Sequence, residues 1–182
     1  MRFYARPPRR AGDRTATLDV QSAGLAAIPD AASRVIRWHI RIGHTVRVHL
    51  DLVAIVVDDY DAAIAFFVDR LGFELVEDSP ATTNDGRPKR WVVVRPPAAQ
   101  TGILLARADG DRQRSVIGQQ HAGRVGFFLQ VDDLDASHAQ MLGNGVDFVT
   151  EPRDEPYGRL AVFLDIAGNR WDLLGPSPQT GM

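Results

Sequence analysis

The 182-residue chain contains no cysteine. Disulfides, thiolate nucleophiles and Cys-ligated metal centres are therefore excluded, and the redox compartment is left open. No apolar run approaches the roughly 18 residues that span a bilayer. There is no apolar signal core either, so a cytoplasmic protein without a membrane partner is expected. A Gly-rich phosphate loop, a Gly-x-Ser-x-Gly elbow and a His-Glu-x-x-His helix are all missing, which removes the common nucleotide, serine-hydrolase and zinc-protease sites. Lysine occurs once, at Lys89, against twenty arginines. That imbalance reads as the codon usage of a GC-rich genome.

What is present is an ordinary apolar content of 45%, enough to bury the core of one domain. The net charge of −2 hides an asymmetry. Residues 1–48 hold nine arginines against three aspartates, whereas residues 49–182 hold twelve basic against twenty acidic residues. An acidic body argues against nucleic acid as a partner.

Residues 1–45 read as a basic N-terminal extension outside the fold. Pro7-Pro8-Arg9-Arg10 opposes regular structure. Asp30 is placed to cap a short helix from Ala31 to Ile42, although Val35, Ile36, Trp38, Ile40 and Ile42 alternate partly like a strand. Three readings stand: a disordered arm, a packed extension, or sequence upstream of the true start. Its Arg-rich, acid-poor composition also resembles a transit peptide. The domain is expected over 46–176, with a first module at 46–107, a linker at 108–123, a second module at 124–176 and a tail at 177–182.

Within the first module, His49 to Val57 reads as a strand. Asp59 sits at a helix N-cap, and Tyr60 to Leu71 carries Ala63, Ile64, Phe67 and Leu71 on one helical face. Gly72 stops that helix. Strands follow at 73–78, 90–95 and 101–106, with a polar loop between Ser79 and Pro88. The linker is expected to hold at most one helical turn, around Ser115 to Gln119. The pattern then restarts: strand 124–131, Asp133 as N-cap, helix 134–142, a Gly143-Asn144-Gly145 stop, and strands at 146–150, 160–164 and 170–174.

Val57-Asp58-Asp59-Tyr60-Asp61 aligns with Val131-Asp132-Asp133-Leu134-Asp135 at an offset of 74. Each half is a βαβββ unit that cannot cover its own apolar face, so two such units must pair. The expected architecture is α+β: two modules forming a cup-shaped, mostly antiparallel sheet, with the concave faces toward a shared middle. A cup of this kind suits a small molecule.

The duplicated pattern resembles the vicinal oxygen chelate superfamily, the glyoxalase, bleomycin-resistance and extradiol-dioxygenase group. The stretches that carry the resemblance are VVDDYDAAIAFFVDRLGFELV, RWVVVRPP, RVGFFLQVDDLDASHAQMLGNGVDFV and EPRDEPYGRLAVFLDIAGNRWDLL. They cover most of residues 49–176. The resemblance implies the cup fold, frequent homodimers, and functions ranging from metal-dependent lyases and dioxygenases to non-catalytic drug binders.

In metal-dependent members, His or Glu ligands come from the first and last strand of each half. The corresponding positions here are Leu52, Gly126, Leu104 and Asp172. Only Asp172 can ligate, whereas a catalytic divalent site needs about three protein ligands. No cofactor is therefore expected. The alternative, a divalent metal held by His49, His121 and Asp172, requires a bulge to turn His49 and a linker folded over the cup. His138 falls on the helix position matching Ile64 and is expected to be a partly buried structural residue.

Strand parity gives the expected lining: Leu50, Leu52, Ala54 and Val56, then Gly126, Phe128 and Gln130, then Leu104 with Ala106, and Arg170 with Asp172. Trp91 and Tyr157 supply aromatic walls from strand and loop. The ligand-binding set is Leu52, Trp91, Leu104, Phe128, Gln130, Tyr157, Arg170 and Asp172. Packing is the competing role for Trp91 and Phe128, and an ion pair with Arg170 or Arg159 is the competing role for Asp172. No catalytic residue is assigned. The reading is a binding protein for an apolar or aromatic small molecule, with a rearranged metal-dependent lyase or dioxygenase as the alternative.

Overall fold

The computed structural model describes residues 48–176; the expected N-terminal extension, with its helix at 31–42, and the tail at 177–182 lie outside the described residues. Met1–Arg47 and Val48–Met182 form separate units. Within the second, the repeat is written twice in hydrogen bonds.

The first module runs β1 (Leu52–Val57), α1 (Tyr60–Ala65, continued by a π-helical turn Phe66–Arg70), β2 (Glu74–Thr82), β3 (Pro88–Arg95) and β4 (Gly102–Arg107). A short α2 (Asp111–Arg114) begins the linker. The second module runs β5 (Val125–Gln130), α3 (Leu134–Gly143), β6 (Arg153–Glu155), β7 (Gly158–Leu164) and β8 (Arg170–Gly175). The modules give two four-stranded sheets with the same topology, β1-β4-β3-β2 and β5-β8-β7-β6. The first and last strand of each module pair parallel, and the remaining pairs are antiparallel.

Both N-caps form. Asp59 Oδ1 accepts from the Ala62 N–H at 2.9 Å, and Asp133 Oδ1 accepts from the Ala136 N–H at 3.0 Å. Gly72 takes φ +72° past the first helix, a backbone conformation that disfavours any side chain. The π-helical turn was not legible in the apolar spacing. Consecutive residues of an α-helix point about 100° apart, yet Phe66 and Phe67 are both buried, and the wider turn accommodates them.

Three boundaries differ from expectation for physical reasons. The polar stretch read as a loop at 79–88 is strand at both ends, 79–82 and 88, and turn only at 83–87. β2 continues to Thr82, and a tight turn closed by Thr83 N–H to Arg87 O at 2.9 Å leads into β3. The expected strand at 146–150 is reduced to a single bridge, Phe148 to Phe163, and the second strand of that module is the polar Arg153–Glu155. The linker helix lies at Asp111–Arg114, with turns rather than helix at 115–119.

The shared middle is filled by helices. Ile55, Val57, Val92, Val94, Ile103 and Leu105 from the first sheet join Phe163, Trp171 and Leu173 from the second, with Phe66, Phe67, Leu134 and Met141 from the helices, in one apolar cluster. Trp171 stands at its centre. Its ring stacks on Phe127 at 4.4 Å and Phe163 at 5.7 Å, and it meets Phe67 of the other module at 6.0 Å. The helix ends are tied as well: Arg70 Nη1 donates to Gly145 O at 2.7 Å, and Asn144 Nδ2 donates to Arg70 O at 3.1 Å. Successive strand residues face opposite sides, so the faces that parity assigns to the cup turn away from this middle, which corrects the expected arrangement.

Candidate functional site

On the first sheet the face opposite the core is apolar along β1, β4 and the middle of β3, with Glu77 and Ser79 of β2 beside Val93 and Trp91. It carries Leu52, Ala54 and Val56 from β1, Leu104 and Ala106 from β4, and Trp91 and Val93 from β3. Leu52 lies opposite Gly102 in the parallel pair. A Cβ at 102 would stand 3.0 Å from Leu52 Cδ2 and 3.1 Å from Val93 Cγ1, so the missing side chain lets those two close over β4. Trp91 is buried on this face, and its Nε1–H has no hydrogen-bond partner. A buried donor without an acceptor carries a free-energy cost of about 1–3 kcal/mol.

The second sheet presents a different face. Phe128, Asp172 and Val162 lie side by side across β5, β8 and β7. Gln130, Leu174 and Leu160 form the next row. Phe128 is 66% exposed, unusual for a phenylalanine in mid-strand. The β5–β8 register slips between Val125 and Phe127, so Gly126 sits at an irregularity rather than in the row. Gln130 donates only to the Val131 carbonyl at 3.3 Å. Tyr157 stands outside these rows, in the β6–β7 turn, and is 74% exposed.

Asp172 is half-buried and makes neither a hydrogen bond nor an ion pair with any described residue. Burial pushes its carboxyl above the usual 3.8, opposed by the more distant charge of Arg153. The ion pair expected with Arg170 or Arg159 is not formed. Arg159 points to the helical side and pairs with Asp135 and Asp154, and Arg170 is exposed. Desolvating a carboxylate without a partner is costly, and the same site is ready to receive a donor.

The donor set does not fit a divalent metal. Leucine stands at 52 and 104 and glycine at 126, and none has a ligating side chain. Nor do His49, His121 and Asp172 rescue it: no group of three or more His, Asp or Glu able to hold a metal forms among the described residues. His49 lies before β1, exposed, with Asp51 at 3.8 Å. His121 lies over Gly126, and a Cβ there would come within 2.2 Å of its ring. His138 packs edge-on against Phe148 at 4.2 Å, the structural role expected for it.

His121 belongs instead to a separate cavity of about 190 Å³, where the linker meets the β7–β8 turn. That turn is built on Asp165, buried and saturated. Its Oδ1 accepts from the N–H groups of Ala167 and Asn169, and its Oδ2 accepts from Asn169 Nδ2 and Trp171 Nε1, all at 2.9–3.0 Å. The network joins Asp165, Asn169 and Trp171, which lie close together in sequence but form no recognised motif. The linker also blocks one sheet edge. Gln120 Oε1 accepts from Val56 N–H at 2.6 Å and its Nε2 donates to Ala54 O at 3.2 Å, satisfying part of the free edge of β1.

No helix among the described residues is long and apolar enough to cross a membrane. The sequence profile of the Glyoxalase/Bleomycin resistance protein/Dioxygenase superfamily matches residues 41–173. An uncharacterised protein of Shewanella frigidimarina (strain NCIMB 400) is 46% identical over 123 residues, which are 67% of this chain and 89% of that protein. The crystal structure of TnmS3, an antibiotic binding protein from Streptomyces sp. CB03234, is 32% identical with a TM-score of 0.58, covering 74% of this chain and all of that one. The crystal structure of UcmS2 is likewise 32% identical, with a TM-score of 0.60, covering 71% and 98% of the two chains.

Proposed function

Because this chain belongs to the glyoxalase/bleomycin-resistance/dioxygenase superfamily, we propose that it binds a small apolar or aromatic molecule against the outward sheet faces, without a metal ligated at the family's usual positions. The observation that carries the reading is the pairing of an apolar face with two polar groups that have no partner, Trp91 Nε1–H and the Asp172 carboxylate. Small-molecule sites combine apolar walls with a few placed polar groups in this way. An aromatic ring laid on Phe128 gains burial, and a donor on the ligand satisfies Asp172. The solved relative described as an antibiotic binding protein supports the same class of ligand.

Each face is open in part in a single chain, at Ala54 and at Phe128, while Trp91 and Val162 are buried. We therefore assign the closing wall of the cup to a second copy, in a homodimer. The test uses 1-anilinonaphthalene-8-sulfonate, an aromatic probe that fluoresces in apolar surroundings. Saturable binding to the folded protein is expected, weakened at least about tenfold by Phe128→Arg, with sedimentation showing a dimer. Phe128 is exposed, so that variant should keep the fold. Unchanged binding in Phe128→Arg overturns the reading, as does turnover that depends on an added divalent metal.

A further inference from the structure

We infer that the cavity between the linker and the β7–β8 turn is a second binding site, for a small anion that also carries an O–H donor, such as a 2-hydroxycarboxylate or hydrogen phosphate. The cavity holds about 190 Å³, room for a group of that size, and is lined by His121, Arg124, Asn169 and Arg170. It is polar and partnerless in three separate respects. Asn169 is 2% exposed, and its Oδ1 has no donor. The amide cannot be turned round to relieve this: Asp165 Oδ2 is an acceptor at 3.0 Å and requires Nδ2 on its side. Oδ1 is thus a fixed acceptor awaiting an O–H or N–H. His121 Nε2 is also buried and without a partner.

Neither Arg124 nor Arg170 has an ion pair or hydrogen bond from its guanidinium to a described residue. Among the other exposed arginines, Arg87 is matched with Asp85 and Asp109 and Arg153 with Glu155, whereas Arg112, away from this cavity, is unpaired among the described residues. Two free guanidinia beside one cavity favour an anion, by charge and by planar hydrogen bonding. Behind them Asp165 contributes one negative charge, its oxygens taken by four donors. The walls are held close by backbone. Gly118 has φ +71°, and a Cβ there would lie 2.4 Å from Ala167 O, so linker and turn touch only because 118 is glycine.

All the lining residues belong to one chain, and of the four named only Arg170 also borders the outward face of the second sheet. The test titrates lactate, hydrogen phosphate and propionate in turn at low salt, following the His121 ring resonances by NMR. Lactate or phosphate should shift those signals saturably. Whichever does so identifies the source of the anion. Propionate, which has the charge but no hydroxyl, should bind at least about tenfold more weakly than lactate. The double variant Arg124→Ala, Arg170→Ala should weaken binding at least tenfold; both side chains are exposed, which protects the fold. Absence of any His121 shift with both lactate and phosphate overturns the site, as do equal binding of lactate and propionate or undiminished binding by the double variant. Since 1-anilinonaphthalene-8-sulfonate binding depends on Phe128, failure of one site is distinguishable from failure of the other.

Discussion

The two modules share one topology and one pair of Asp N-caps, yet they have spent their outward faces differently. The first is apolar over β1, β4 and the middle of β3, its polar groups Glu77 and Ser79 lying toward β2 and hydrogen-bonded to each other, and Arg90 is committed to the helical side. Arg90 bridges Asp61 and Asp78 and lies 5.2 Å from the Tyr60 ring, which Arg107 also approaches at 5.3 Å. The second face keeps an exposed phenylalanine, a carboxylate without a partner and a free arginine. A duplicated fold needs its core faces to stay alike, because they are packed on each other. Its outward faces are free to diverge, and in the proposed site the second module supplies the carboxylate without a partner.

The helices give the sharpest way to break this comparison. Phe67 and Met141 occupy equivalent places at the offset of 74, and both are buried. Phe67→Ala should cost about 3–5 kcal/mol in urea unfolding, by cavity formation and lost aromatic contact. Met141→Ala should cost less, because Phe67, together with Phe73, meets Trp171 across the modules. Equal costs would mean that the modules do not depend on that contact. At the next level down, the caps should behave alike: Asp59→Ala and Asp133→Ala should each lose about 1 kcal/mol. A cap at one helix worth several times the other would show that the modules are not energetically equivalent even where they are geometrically so.

The smallest effect on stability separates the two faces by pH. The Arg90 hydrogen bonds hold Asp78 below the usual 3.8, so its contribution is present above that value and lost as pH falls through its lower folded value. Asp172 is raised, chiefly by burial. Its folded state therefore binds the proton more tightly than the unfolded chain, and stability falls as pH rises from 3.8 through the raised value. Asp172→Asn should remove that fall and leave the protein at least as stable at pH 7. Asp78→Asn should do the opposite and weaken the protein at neutral pH. Urea midpoints measured between pH 3 and 7 test both signs. A loss of stability at pH 7 in Asp172→Asn would mean that the carboxylate has a structural partner after all.

What could be read from the sequence was what is periodic. The 3.6-residue spacing of Ala63, Phe67 and Leu71, the repeated Asp caps, and the alternation along β1, β4 and β8 all report core faces, and these set the fold. Parity alone also placed Leu52, Leu104, Phe128, Gln130 and Asp172 on the faces away from the core. What escaped was what depends on partners distant in sequence. Arg159 looked available to Asp172, but Asp135 and Asp154 claim it. Arg153–Glu155 is a strand because β7 pairs with it, not because its residues favour one. The direction of the cup escaped too, since periodicity says which residues share a face but not which face meets the other module. His121 reached its cavity through loop geometry that no spacing encodes.

The most direct test of the ligand face uses its own indole groups. Trp91 Nε1–H lies on the outward side without a partner, whereas Trp171 Nε1–H is held by Asp165 in the core. Their two NMR signals, assigned with Trp91→Phe and Trp171→Phe, are followed while 1-anilinonaphthalene-8-sulfonate is added. If the outward face takes the ligand, the Trp91 signal shifts saturably and the Trp171 signal stays in place. A shift at Trp171 with Trp91 unmoved would place the ligand in the core between the modules and contradict the account.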